Sequence, residues 1–138
     1  MSLDPRIEET SILLCELALS QLRLQKDGEL DWLILIPKGE NLTEWTDLTP
    51  DQQYQLTAEI DFACRLLKTH GLVYKLNIGA LGNIVSQLHI HIVARQFGDR
   101  AWPGPIWGTK TDRLITYERE KYWQEKTIEF KKQFYKVV

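Results

Sequence analysis

His89 and His91 are two of the three histidines in this 138-residue chain, and they stand two apart in residues 86–95, SQLHIHIVAR. Side chains alternate across a β-strand with period two. Gln87, His89, His91 and Val93 therefore share one face, while Leu88, Ile90 and Ile92 point the other way, toward a core. Two imidazoles on one face can carry protons, attack an electrophile or bind a metal. The metal reading needs a third ligand. His70 lies near the end of an expected helix with no Asp, Glu or Cys at ligand spacing, so no metal site is expected. A pair of hydrogen-bonded core histidines is the plain alternative. Just upstream, residues 77–87 read NIGALGNIVSQ and bring Asn77, Gly79, Gly82 and Asn83 together. Glycine lets backbone N–H groups approach an anion closely, although an ordinary hairpin loop uses the same residues. A phosphate-sized hollow beside two imidazoles suggests attack by a ring nitrogen on phosphorus. Neutral imidazole is a nucleophile near pH 7 and leaves readily from phosphorus once protonated. The second imidazole can then donate to the phosphate or to the leaving group.

The elements that position these residues are legible in part. Asp4 and Pro5 cap a helix, with Glu8 and Glu9 at its positive end, expected near residues 5–14. Alternating residues 19–26 and the run 30–36 flank KDGE, whose Asp-Gly turn signal predicts an antiparallel hairpin. Thr49, Pro50 and Asp51 open a second helix. Its apolar positions Leu56, Ile60, Ala63 and Leu67 recur at helical spacing until Gly71. Residues 72–81, LVYKLNIGAL, read as a third strand leading into the histidine strand. Residues 117–136 place Trp123, Thr127, Phe130 and Phe134 on one face of an amphipathic helix. Helices and hairpins in this irregular order argue for an α+β fold.

Composition removes several function classes. A net charge of −2 without a long basic run gives no sign of binding to a nucleic-acid polymer. Cys15 and Cys64 are too few for a disulfide framework or a zinc site. The apolar runs are too short to span a bilayer, and acidic residues near the start argue against a signal peptide, so a cytoplasmic location is expected.

The histidine stretch resembles the signature of the histidine triad nucleotide hydrolases and transferases. That signature is three histidines alternating with apolar residues and followed by two more apolar ones. Here it stands as Gln87-Leu88-His89-Ile90-His91-Ile92-Val93, with glutamine in the first place. DWLILIPK is similar to the family's strand before the helix, NIGALGN falls where its phosphate-binding loop belongs, and WPGPIWG resembles its Trp-Pro-Gly tail. The resemblance covers roughly residues 3–108. It implies a histidine triad fold, an antiparallel sheet of about five strands flanked by helices. The domain would span residues 1–110, with 111–138 a helical extension packed on it, and the protein would be a homodimer. It further implies that His89 is the nucleophile, that His91 contacts the scissile phosphate and that Gln87 completes the catalytic set. Asn77, Gly82 and Asn83 would bind phosphate, and Asp27 would hold the ribose hydroxyls. The implied activity is hydrolysis of a dinucleoside polyphosphate or nucleoside phosphoramidate through a nucleotidyl-histidine. Nucleotidyl transfer to another acceptor, or nucleotide binding with little turnover, are the alternatives. No cofactor is implied beyond Mg²⁺ accompanying a polyphosphate substrate. Besides Gln87, one departure stands out: Trp32 occupies a position where many members carry a further histidine.

Overall fold

Asp4 accepts a hydrogen bond from Arg6 N at 2.9 Å and Pro5 occupies the first turn, which starts α1 (Pro5–Thr10). The computed structural model describes residues 2–136. The helix is shorter than its acidic, cap-and-proline signature predicts. Residues 11–14, expected to complete it, belong instead to strand β1 (Ser11–Glu16), paired antiparallel with β2 (Ser20–Gln25). The reason is tertiary. Ser11 is buried and binds the Arg23 guanidinium, and pairing with β2 outweighs a local helical preference. The predicted hairpin is present as β2 and β3 (Asp31–Pro37). Strand β4 (Lys75–Gly79) occupies only the middle of the run expected to be extended, and β5 (Ile90–Arg95) carries the histidine motif.

The five strands form one antiparallel sheet in the order β1-β2-β3-β5-β4, so the architecture is α+β as the sequence suggests. Thr49 and Gln52 close a reciprocal capping box at the start of α2 (Pro50–Lys68). Its buried Leu56, Phe62, Ala63, Leu66 and Leu67 cover one sheet face, meeting Leu33, Leu35, Ile90 and Ile92. The other face is apolar as well. Trp32, Ile34, Ile36 and Val93 are closed over by Ile7 of α1, Leu30 and Ile106. The histidines therefore project into a second, smaller core layer, so their face is lined by protein.

Helix α3 (Tyr117–Phe134) packs beside α2 on the first face. Trp123 and Thr127 are fully buried, and the Phe62 ring lies 5.3 Å from Phe130 and 5.2 Å from Phe134. Trp123 Nε1 donates to Asp31 Oδ1 at 3.0 Å, and Arg119 and His70 bind the same carboxylate. Burial works against the Asp31 charge, yet these partners hold its carboxyl below the ordinary range. No helix among the described residues is long and apolar enough to cross a membrane.

Candidate active site

β5 is an inner strand, bonded to β3 on one side and β4 on the other, with His91 opposite Ile34 and Gly79. Such a strand is held on both edges, which fixes the His91 backbone. His89 precedes the first residue of the strand, where the loop from β4 arrives. The two imidazole centroids lie 4.8 Å apart. Trp32 stands opposite Val93 on the same face, and its Nε1 is 3.0 Å from His91 Nδ1. Trp107 closes the far side, 5.8 Å from the His91 ring between centroids. A side chain at Gly79 would meet the Trp107 indole at 3.2 Å, so glycine there lets the ring lie beside His91.

The partners determine which nitrogens carry protons. His89 Nδ1 lies 2.6 Å from the carbonyl oxygen of Gln87. A carbonyl only accepts, so Nδ1 carries the proton, and in the neutral ring Nε2 keeps its lone pair. His91 is the opposite case. The indole N–H of Trp32 only donates, so His91 Nδ1 accepts and the proton of the neutral ring sits on Nε2. Burial, reinforced by the charge on His89, pushes His91 down to about 4. With both rings neutral, the pair thus offers one nitrogen lone pair and one N–H donor. Among the described residues neither Nε2 has a protein partner.

A cavity of about 160 Å³ opens at His89, lined also by Gln87, Ala80, Leu81 and Gly82 from the loop and by Thr43 and Glu44. Gly82 has φ +70, in the left-handed region where glycine carries no steric penalty. Leu88 N donates to Leu42 O at 2.9 Å, and Arg6 Nη1 donates to Ile84 O at 3.1 Å, so this loop is anchored at its middle and near its end.

The structure gathers His89, His91 and Gly82, but assigns other tasks to several expected site residues. Gln87 turns its amide away from the imidazoles. Its Oε1 accepts from Asp4 N at 2.8 Å and its Nε2 donates to Ser2 O at 3.1 Å, binding the N-terminal arm. Asp27 is buried at 4% exposure. Its carboxylate accepts from Glu29 N and Leu30 N and pairs with Arg100 at 2.8 Å, leaving nothing for ribose hydroxyls. It also lies near the end of β3 that pairs with Ala94, about 17 Å along the strand from His89. Asn77 is on the histidine face, but its Oδ1 accepts from Arg95 Nη1 at 2.8 Å. Asn83 is exposed beside Gly82 and outside the cavity lining. What residue spacing could not reveal is the part played by Trp32 and Trp107. Their distance from His91 in sequence gives no signal, although the strand period puts Trp32 on the correct face once the β3–β5 register is known.

Residues 6–98 match the family model described as the HIT domain. Among solved structures, a histidine triad protein from Sinorhizobium meliloti 1021 is 41% identical, with TM-score 0.88 over 93% of this chain and 95% of that one. One from Bradyrhizobium japonicum is 39% identical, with TM-score 0.88 over 93% and 96%. A third, from Marinobacter aquaeolei VT8, is 32% identical, with TM-score 0.88 over 96% of both chains. This coverage leaves fewer residues unmatched than α3 contains, so the likeness runs past the region that residue motifs identify and into the C-terminal helix. No match is found among curated protein sequences.

Proposed function

The chain belongs to the histidine triad family, and from that premise we propose that it hydrolyses a nucleotide conjugate, with His89 Nε2 attacking the α-phosphorus. The observation that carries this is the 2.6 Å contact of His89 Nδ1 with the Gln87 carbonyl, which leaves Nε2 unprotonated beside the cavity. As the N–P bond forms, the bond from phosphorus to the leaving group breaks and the leaving group takes the electron pair. Water then attacks the nucleotidyl-histidine, the P–N bond breaks, its electrons return to Nε2 and a nucleoside monophosphate departs. His91 Nε2–H donates to a non-bridging oxygen as charge builds there. Loop N–H groups around Gly82, which lines the same cavity, would do the same.

Dinucleoside polyphosphates and nucleoside phosphoramidates both fit this chemistry. The lining of the cavity includes Glu44 and no Lys or Arg, so a polyphosphate is best accommodated with Mg²⁺ neutralising its far phosphates. Homodimerisation, implied by the family, is part of the same proposal and is tested by light scattering. One observation favours nucleotide binding with little turnover as the second reading: the Gln87 amide is committed to the N-terminal arm and gives the histidines no help.

Rapid quench with a dinucleoside polyphosphate, followed by intact mass spectrometry at high pH, separates the two. The expected result is one nucleotidyl group, mapped to His89, that forms and decays at rates compatible with turnover. Labelling at another residue overturns the mechanism. Tight nucleotide binding with no adduct under single-turnover conditions selects the second reading.

A further inference from the structure

We infer that Trp32 is a positioning residue that sets the tautomer of His91, holding it as a neutral ring whose only proton is on the nitrogen facing substrate. The inference rests on His91 meeting the phosphoryl group, as proposed above. Its geometric basis is separate. Trp32 is buried at 8% exposure, its Nε1 is 3.0 Å from His91 Nδ1, and the two rings meet edge to face with centroids 5.6 Å apart. An imidazole has two ways to be neutral, and a partner able both to donate and to accept would permit either. Indole permits one. With its N–H pointed at Nδ1, moving the His91 proton to Nδ1 sets two N–H groups against each other, and adding a second proton does the same.

Among the described residues, His91 Nδ1 has no hydrogen-bond partner other than Trp32. Ile34 on β3, Gly79 on β4 and Trp107 from the C-terminal loop flank His91, and on its own strand the nearest titratable group is His89. The consequence is a division of labour. His89 alone bonds to phosphorus during the reaction, keeping its Nδ1 proton on the Gln87 carbonyl, while His91 remains a fixed N–H donor. A donor of this kind stabilises charge on the phosphoryl oxygens without surrendering its proton.

Long-range ¹H–¹⁵N correlation spectra of the ¹⁵N-labelled wild-type protein, recorded without nucleotide, test this directly. The expected spectrum at pH 7 shows His91 with an unprotonated Nδ1 and a protonated Nε2, unchanged down to pH 5.5. A proton on Nδ1, or an imidazolium in that range, overturns the inference whatever the enzyme does. Trp32→Phe keeps an apolar ring and removes the N–H. In this variant the His91 signals should move toward a mixture of tautomers. kcat should fall about three- to tenfold, the scale of one hydrogen bond, with KM changed less than about twofold. The acid limb of the pH–rate profile should also move to higher pH as His91 begins to take up protons. An unchanged tautomer and pH profile in Trp32→Phe would sink the proposal. Should the variant fail to fold, the wild-type spectrum still decides. The expected tautomer in a protein that forms no nucleotidyl adduct would count against the functional reading while Trp32's hold on His91 stood.

Discussion

The two ends of β5 solve the same physical problem in opposite ways. Both place polar side chains on one face of a buried strand, His89 and His91 at the start and Arg95 at the end. Arg95 is 1% exposed, and each of its three side-chain nitrogens has a hydrogen-bond partner. Its Nε and Nη2 each donate to Asp99 at 2.8 Å, its Nη1 donates to Asn77 at 2.8 Å, and its guanidinium lies 5.5 Å from the centroid of the Trp102 ring. The Arg95 hydrogen bonds hold the Asp99 carboxyl down at about 2. The histidine end is only half satisfied, since each ring has a partner on Nδ1 and none among the described residues on Nε2. Neither Nε2 is a buried unpartnered atom, so both nitrogens stay reachable from the solvent side and can take a partner from outside. Charge is thus locked at one end of the strand by partners within the fold, while at the other one nitrogen per ring is left open, as the proposed reaction requires.

Substitutions at the two ends should therefore fail differently. His89→Asn is expected to lower turnover by at least about 10³-fold, equivalent to roughly 4 kcal/mol of barrier, while nucleotide binding survives. Product analysis by chromatography with binding measured by calorimetry checks both halves. A variant retaining more than about a tenth of the wild-type rate removes His89 from the nucleophile role. Arg95→Met leaves Asp99 as a buried, unpaired carboxylate and should cost about 3–5 kcal/mol of stability, lowering Tm by more than about 10 °C. Thermal unfolding of the two variants side by side sharpens the contrast. His89→Asn should shift Tm far less than Arg95→Met, and an equal shift would mean that the histidine end is structural after all.

Acid should separate the ends as well. His91 titrates at about 4 in the folded chain and near 6.5 when unfolded, so between those values the unfolded state binds more protons. Stability contributed by keeping this ring neutral is complete above about pH 6.5 and falls as the pH drops toward 4, by at most about 3 kcal/mol. Asp99 works in a lower window. Its contribution is present above about pH 3.9 and is lost as the pH falls through about 2. Urea unfolding at pH 7, 5 and 4 measures the first window, and His91→Gln should flatten it. An unchanged slope in that variant would show that another group titrates there.

The sequence reveals this face better than it reveals the contacts on it. Strand period alone puts His89 and His91 together and sends Leu88, Ile90 and Ile92 into the opposite core, where they lie. The α2 cap is equally legible because a capping box is a local device. β1 is not, since nothing local says that Ser11 will be buried against Arg23 from another strand. Asp27 misleads for a related reason. A carboxylate near a turn can serve a ligand or an internal cation, and the internal partner, Arg100, is 73 positions away. Asn77 is taken by Arg95 in the same fashion. Trp32 is conspicuous as a departure from the family pattern, but only the β3–β5 register brings its indole nitrogen to His91.

The smallest expected effect lies at Gln87, the triad position without a histidine. Its amide bonds to Ser2 O and Asp4 N and so fastens the N-terminal arm beside α1. It makes no side-chain hydrogen bond to either imidazole among the described residues. Gln87→Ala should therefore act first on the arm, removing two hydrogen bonds at a cost of about 1–2 kcal/mol, and faster amide exchange at Asp4 measures the release. On the chemistry its reach is indirect. His89 is held by the Gln87 carbonyl, a backbone group that the substitution keeps. The unprotonated Nε2 survives, and both formation and hydrolysis of the nucleotidyl-histidine should change less than tenfold. Rapid-quench measurement of the two half-reactions in wild type and Gln87→Ala checks this. A larger change in adduct hydrolysis alone would show that the amide leaves the arm during turnover and reaches the reacting phosphoryl group, which would give the first triad position a catalytic role despite its resting contacts.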